Sequence, residues 1–146
     1  MNLIIETEFK ATIGEPASLL LDHWVTEFNA ELILTPERLS VHGNCRFLSH
    51  SRSSKITVNK SANIYRMLIT LVHEIAHAKT FLEFGMLNRP HGQQWKDNYI
   101  NLMNELKVLK IFPYDLEIAI ERHFRNPKFT DCVDPAFSRI LKQYDS

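Results

Sequence analysis

Residues 71–79 read "LVHEIAHAK" and set His73, Glu74 and His77 within five positions of one another. A helix turns about 100° per residue, so His73 and His77 project from one face about 40° apart, one turn along. Glu74 lies about 100° round, at the edge of that face. Leu71, Ile75, Ala78 and Leu82 fall at roughly 140–200° from His73, with Leu68 near 220°. The spacing therefore predicts a helix anchored by one side that presents two imidazoles and a carboxylate on the other. That is the geometry of an H-E-x-x-H site, in which imidazoles at i and i+4 hold one Zn²⁺ at about 2.0–2.1 Å. A catalytic zinc takes a third protein ligand and leaves one position for water, whose pKa falls toward about 7. Glu74 then takes a proton from that water and delivers it to the leaving amine. Two histidines and a glutamate can also share an exposed helix by coincidence. The Leu, Val, Ile and Ala between them argue for a helix packed in a core, and so for a site.

The third ligand has several candidates. A metzincin continuation needs Gly at position 80 and His at 83, where this chain has Thr80 and Glu83. A glutamate from a later helix would be Glu105, Glu117 or Glu121. His91, in "RPHGQQWK", fits best: the loop from Gly85 to Pro90 can turn the chain back, and Gly92 permits close backbone approach. A tetrahedral intermediate also needs an electrophilic helper besides the metal. Tyr99, Arg89 and His50 are candidates, and the sequence does not choose among them. Tyr99 and Trp95 read as core residues of their helix. Phe81 and Phe84 share the histidine side and read as pocket walls. His23, His42 and His123 have no partner pattern and read as structural or exposed.

The elements that must position these groups follow from local signals. Residues 16–33, "PASLLLDHWVTEFNAELI", begin with Pro at a first helical position and place Leu20, Leu21, Trp24, Val25, Phe28 and Leu32 at helical spacing, with Thr35-Pro36 as the stop. Residues 45–59 read as a β-hairpin around a Ser/Arg-rich turn, and "ERLSV" (37–41) as a further strand. A second helix is expected from Ala62 to Phe84, ended by Gly85. A third runs from near His91 to Leu106, with Trp95, Tyr99, Leu102, Met103 and Leu106 as its apolar face. "DLEIAIERHF" and "PAFSRILKQY" read as two short helices flanking the Pro127–Pro135 region.

"TLVHEIAHAK", followed fourteen residues after its second histidine by "HGQQWK", resembles the SprT-like family of zinc metallopeptidases. That family includes proteases that degrade proteins crosslinked to DNA. The resemblance covers roughly residues 16–107. It implies an α+β, minimal zincin-like metalloprotease domain with about three main helices, a short β-sheet or hairpin and short C-terminal helices. It implies one Zn²⁺ held by His73, His77 and His91, Glu74 as catalytic base, and a protein or peptide substrate. Residues 45–59 resemble the strand that pairs with substrate backbone in zincins. Many members also carry a zinc ribbon with paired cysteines. This chain has no CxxC, which weakens the expectation of a DNA-directed role.

The bulk numbers agree with a single domain over residues 1–146, with a core at 16–107 and a helical extension at 108–146. The chain is 45% apolar and 23% charged, and its 17 basic residues balance 17 acidic ones. That balance gives no overall attraction to nucleic acid or anionic lipid. Arg46, His50, Arg52, Lys55 and Lys60 form a small basic cluster, read as a solvated hairpin tip in preference to a phosphate contact. No export signal is expected in "MNLIIETEFK", and no apolar run is long enough for a bilayer. Cys45 and Cys132 form no disulfide framework, so a cytoplasmic protein with free thiols is expected. The rival reading is a non-catalytic, zinc-containing adaptor in a DNA-repair or transcription-associated complex. An intact Glu74 argues against it.

Overall fold

The computed structural model describes residues 1–38, 41–86, 91–125 and 134–145. It is α+β, with six α-helices and a three-stranded sheet among those residues. The motif helix, Ile64–Phe84, is the longest element at 21 residues; in chain order it is α3. It starts two residues later than expected because Asn63 caps it: the Asn63 Oδ1 accepts from the Arg66 N–H at 3.1 Å. The Asn63 Nδ2 donates to the Leu141 carbonyl at 2.9 Å and to Asp145 at 2.7 Å. One buried side chain thus starts α3 and ties it to the C-terminal segment. At the far end Gly85 takes φ +79°, where a side chain would be strained, and stops the helix as expected.

The sheet packs on α3. Strands β1 (Ala30–Thr35), β2 (Gly43–Leu48) and β3 (Ser53–Asn59) lie in the order β1-β3-β2, with β1 parallel and β2 antiparallel to β3. The expected hairpin is therefore present. Its register puts Leu32, Ile56 and Cys45 in one row, and Ser54, Ile56 and Val58 are the buried face of β3.

The expected helix over 16–33 is corrected. Helix α2 spans Glu15–Glu27, with Pro16 in its first turn, and residues 30–35 are β1. "AELILT" satisfies both a helical and an alternating reading. The strand wins because its backbone bonds β3 from Ala30 to Thr35 and Leu32 fills the sheet's inner face. Asn29, at φ +53°, makes the break and donates its amide to the Arg52 carbonyl at 2.9 Å. Pro36 therefore follows a strand. The expected strand at 37–41 is also corrected. Glu37 and Arg38 are in neither helix nor strand, and residues 39–40 lie outside the described set. Arg38 instead reaches β3, bonding Asn59 at 2.7 Å and Thr57 at 3.1 Å.

Sequence reading assigned no element to the N-terminus. There the chain winds through a π-helical turn, Ile5–Phe9, into α1, Lys10–Ile13. Ile5, Phe9 and Ile13 recur every four residues and are all buried. Helix α4 (Gln93–Val108) buries Trp95, Tyr99, Leu102, Met103 and Leu106, the face expected. Helices α5 (Tyr114–Arg125) and α6 (Pro135–Lys142) are the two short helices expected. The stretch 126–133, with Cys132, lies outside the described residues. No helix among the described residues is long and apolar enough to cross a membrane.

Asn63 should matter more than a surface cap. Asn63→Ala removes the cap and the amide's bonds to Asp145 and to the Leu141 carbonyl, which keeps the Tyr144 N–H, so urea unfolding should show a loss of roughly 1–2 kcal/mol. A loss below about 0.5 kcal/mol, the size of an ordinary surface change, would contradict this packing role.

Candidate metal centre

His73 and His77 come from the middle of α3, and His91 from the turn just before α4, where Gly92 is the N-cap. The His91 Nε2 lies 3.1 Å from the His77 Nε2 and 3.3 Å from the His73 Nε2. Donors at 2.0–2.1 Å from a tetrahedral ion stand about 3.3–3.4 Å apart, so these separations are those of an ion-binding triad. Protons alone do not account for them. One N–H can bridge one pair of neutral imidazoles, leaving the third ring without a partner, whereas one cation meets three lone pairs at once. Among the described residues, this is the group of three side chains able to hold a metal ion.

Electrostatics favour the ligating form. Burial first, and neighbouring imidazoles second, push the His73 imidazole well below its usual value and the His77 imidazole down to about 3. Burial also lowers His91, with Lys96 adding to the effect. Neutral imidazole is the species that binds metal.

The aromatic floor of the site escaped the sequence reading. Trp95 is fully buried and was expected only as core. Its ring centroid lies 4.6 Å from that of His73, 5.2 Å from His77 and 4.7 Å from His91. Its Nε1–H donates to the His73 carbonyl at 3.2 Å. Tyr99 stacks behind it at 5.0 Å. On the other side of His77, Phe81 stacks at 6.0 Å and meets Phe47 of β2 at 5.4 Å. Phe81 is thus beside the site, as expected, but Phe84 is 53% exposed at the last turn. The histidine face is not open either. Val72, Glu74, Ala76 and His77 are buried there and His73 is half-buried.

One turn beyond His77, Thr80 and Asn98 pin α3 to α4. The Asn98 amide donates to the Thr80 hydroxyl at 2.9 Å and to Glu83 at 2.8 Å. This clamp sets the distance between the helix that supplies two histidines and the one that follows the third.

Glu74 is 6% exposed. Edge strand β2 reaches it through Gly43. A Cβ there would stand 2.6 Å from the Thr70 methyl, 2.8 Å from the Thr57 carbonyl and 3.4 Å from the Glu74 Cγ. Only a glycine lets the strand approach so closely. Burial pushes the Glu74 carboxyl up to about 8, partly opposed by Arg38. Cys45, two residues along β2, is held neutral by burial at about 12.

The other candidates, Tyr99 apart, sit elsewhere. Glu105 is exposed, Glu117 pairs with Lys110 at 3.7 Å, and Glu121 pairs with Lys107 at 3.3 Å. His50 is exposed in the hairpin turn and Arg89 lies outside the described residues, whereas Tyr99 is buried beside the site, stacked on Trp95 with its ring edge-on to His73 at 5.7 Å. His23 pairs with Glu27 at 3.0 Å and His42 sits 3.3 Å from Arg66. His123, read as partnerless, is buried and bonds Asp134 at 2.7 Å. In the basic cluster, Arg52 donates to the Leu82 carbonyl at 2.8 Å and fastens the hairpin turn to the end of α3. Lys60 lies 3.9 Å from Glu8, and Lys55 stands between Glu31 and Arg46 on the outer sheet face.

A family model, described as the SprT-like family, matches residues 21–117. The chain belongs to the SprT-like family. The matched span contains His73, Glu74, His77, Gly43, His91 and Trp95. Among the curated proteins and the solved structures, nothing gives a significant match.

Burial of Glu74 has a measurable cost. Its folded value of about 8 exceeds the ordinary 4.5, so the metal-free fold takes up a proton at neutral pH and loses stability as pH rises from about 4.5 to 8. Glu74→Gln should therefore stabilise the chelator-treated protein at pH 7 by about 3 kcal/mol at most, with the gain gone near pH 4.5. Urea unfolding at the two pH values checks this. An equal effect at both would mean that the carboxyl is not desolvated.

Proposed function

We propose that this chain is a zinc-dependent peptidase in which His73, His77 and His91 hold the metal and Glu74 is the general base. The observation that carries the reading is the set of Nε2 separations of 3.1 and 3.3 Å beside a buried carboxylate on the same helix. Family membership supports it, since SprT-like domains are associated with metalloprotease-like chemistry. A zinc ion at the three histidines supplies Lewis acidity, polarising a scissile carbonyl and acidifying water.

The chain's own residues do the rest. A nearby cation counteracts the desolvation of Glu74 and favours its ionised form. The carboxylate then accepts a proton from the attacking water and passes it to the leaving nitrogen. Trp95 orients His73 through its carbonyl bond and packs against all three rings, excluding water from their far side. Strand β2 is a sheet edge beside Glu74, with no strand on its outer side among the described residues, so an extended substrate can pair with it. Such pairing gives affinity with little sequence preference, in keeping with a protein or peptide substrate. DNA-associated proteins remain one class of such substrates, although Arg52 and Lys60 are already engaged within the fold. A non-catalytic adaptor would have no use for a carboxylate buried at this cost.

The test is proteolysis of unfolded casein by zinc-loaded protein, wild type against Glu74→Gln. The variant should keep its zinc and lose at least about 100-fold in rate. Equal cleavage by the variant, or none by zinc-loaded wild type across a peptide library, would overturn the proposal.

A further inference from the structure

Helices α5 and α6 run antiparallel and are braced at both ends. At one end the Tyr144 hydroxyl donates to Asp115, and at the other His123 bonds Asp134 at 2.7 Å. The pair is also fixed to the body: Tyr144 packs edge-on against Tyr65 of α3 at 5.1 Å, and Phe124 against Tyr99 at 5.2 Å. Between the braces lies a groove of about 480 Å³, within the usual range for ligand sites.

Its lining has two parts. Ile118 on α5 and Ile140 on α6 form an apolar floor, and Tyr114, 79% exposed, stands at one end. Arg122 and Arg139, one from each helix, rise on opposite sides. Neither guanidinium has a hydrogen bond or ion pair among the described residues. The groove's two carboxylates are already engaged. Asp115 accepts from Tyr144 and from the Leu116 N–H, and Asp134 accepts from the Phe137 N–H and faces His123. The two guanidinium groups are therefore the lining's charged side chains without a bond among the described residues, one from each helix across an apolar trough, while each aspartate is held by at least two bonds within the fold.

We infer that the α5–α6 groove is a docking site, separate from the histidine cluster, for a peptide segment that sets an apolar side chain between acidic ones. The floor needs an apolar group to cover it, and each arginine presents a planar fork suited to a carboxylate. A nucleic acid carries a charge at every step and would meet Asp115, Asp134 and the neighbouring Glu117 and Glu121 as well as the arginines. A peptide can set two spaced carboxylates at the arginines and an apolar side chain over the floor, whereas evenly repeated phosphates cannot be placed away from the aspartates. Because the braces hold the groove open, binding costs little reorganisation.

The experiment uses the full chain and reads binding, so it stands apart from peptidase activity. The probe is a fluorescein-labelled hexapeptide with Leu-Phe at its centre and Glu on either side, followed by fluorescence anisotropy. Arg122→Glu/Arg139→Glu should weaken binding at least ten-fold, and replacing the peptide's Glu by Gln should do the same. Arg122→Lys/Arg139→Lys should lose less. Zinc content and melting temperature should stay at wild-type values, which separates lost docking from lost folding. Three results would overturn the inference: no binding by wild type up to millimolar peptide, equal binding of the Glu and Gln peptides, or a single-stranded oligonucleotide that binds more tightly and displaces the peptide. Concentration-dependent dimerisation abolished by the charge reversal would also overturn it, by assigning the groove to a second copy.

Discussion

Three imidazole nitrogens gathered within 4.8 Å of one another, with that of His91 at 3.1 and 3.3 Å from the other two, are the constraint on which the rest of this structure depends. Lone pairs that converge on one point repel unless something positive sits among them. The fold must therefore hold them there against their own preference. Two come from one helix, so their spacing follows from helical geometry. The third comes from the start of another helix, so its place depends on how α3 and α4 pack. That explains why the polar clamp of Thr80, Asn98 and Glu83 sits one turn from His77 and why a fully buried indole fills the space behind all three rings. A packing shift of even half an ångström between these helices would spoil a metal–nitrogen geometry with a tolerance of about 0.2 Å.

The same burial that positions these groups also disfavours their charged forms in the absence of a cation. Neutral imidazoles are the cheaper form in this environment, and they are also the ligating form. The Glu74 carboxylate is in the opposite position, since burial holds its proton on. A cation at the histidines reverses that balance and frees the carboxylate for proton transfer. Metal binding and base activation are then one electrostatic event. Gly43 belongs to this arrangement, because its missing side chain lets an open strand edge stand against the helix at Glu74.

Much of this was legible from residue type and spacing, but unevenly. The i, i+4 histidines and the Gly85 stop are local features, and local geometry carries them. The buried face of α4 and the hairpin were legible for the same reason. Residues 30–33 read as the end of a helix because Leu32 fits a helical and an alternating pattern alike, and the choice is made by strand β3 more than twenty residues away. The N-terminal helical segment carries only a short signal, the four-residue spacing of Ile5, Phe9 and Ile13, and its burial depends on packing against the rest of the core. Trp95 was seen as core, which it is. Its contact with the histidines depends on a helix crossing that no single stretch encodes. Gly43 carried no signal in its own neighbourhood, since the residues it makes room for lie on α3.

The most direct test of the account is X-ray absorption at the zinc edge on the purified full chain, wild type against His91→Ala. The account predicts one zinc per chain in wild type. Its nearest shell should contain three imidazole nitrogens at about 2.0–2.1 Å and a light non-protein donor. In His91→Ala that shell should be lost or reduced to two imidazoles. A wild-type protein that takes up no zinc, or a shell closed by a fourth protein ligand, would contradict it.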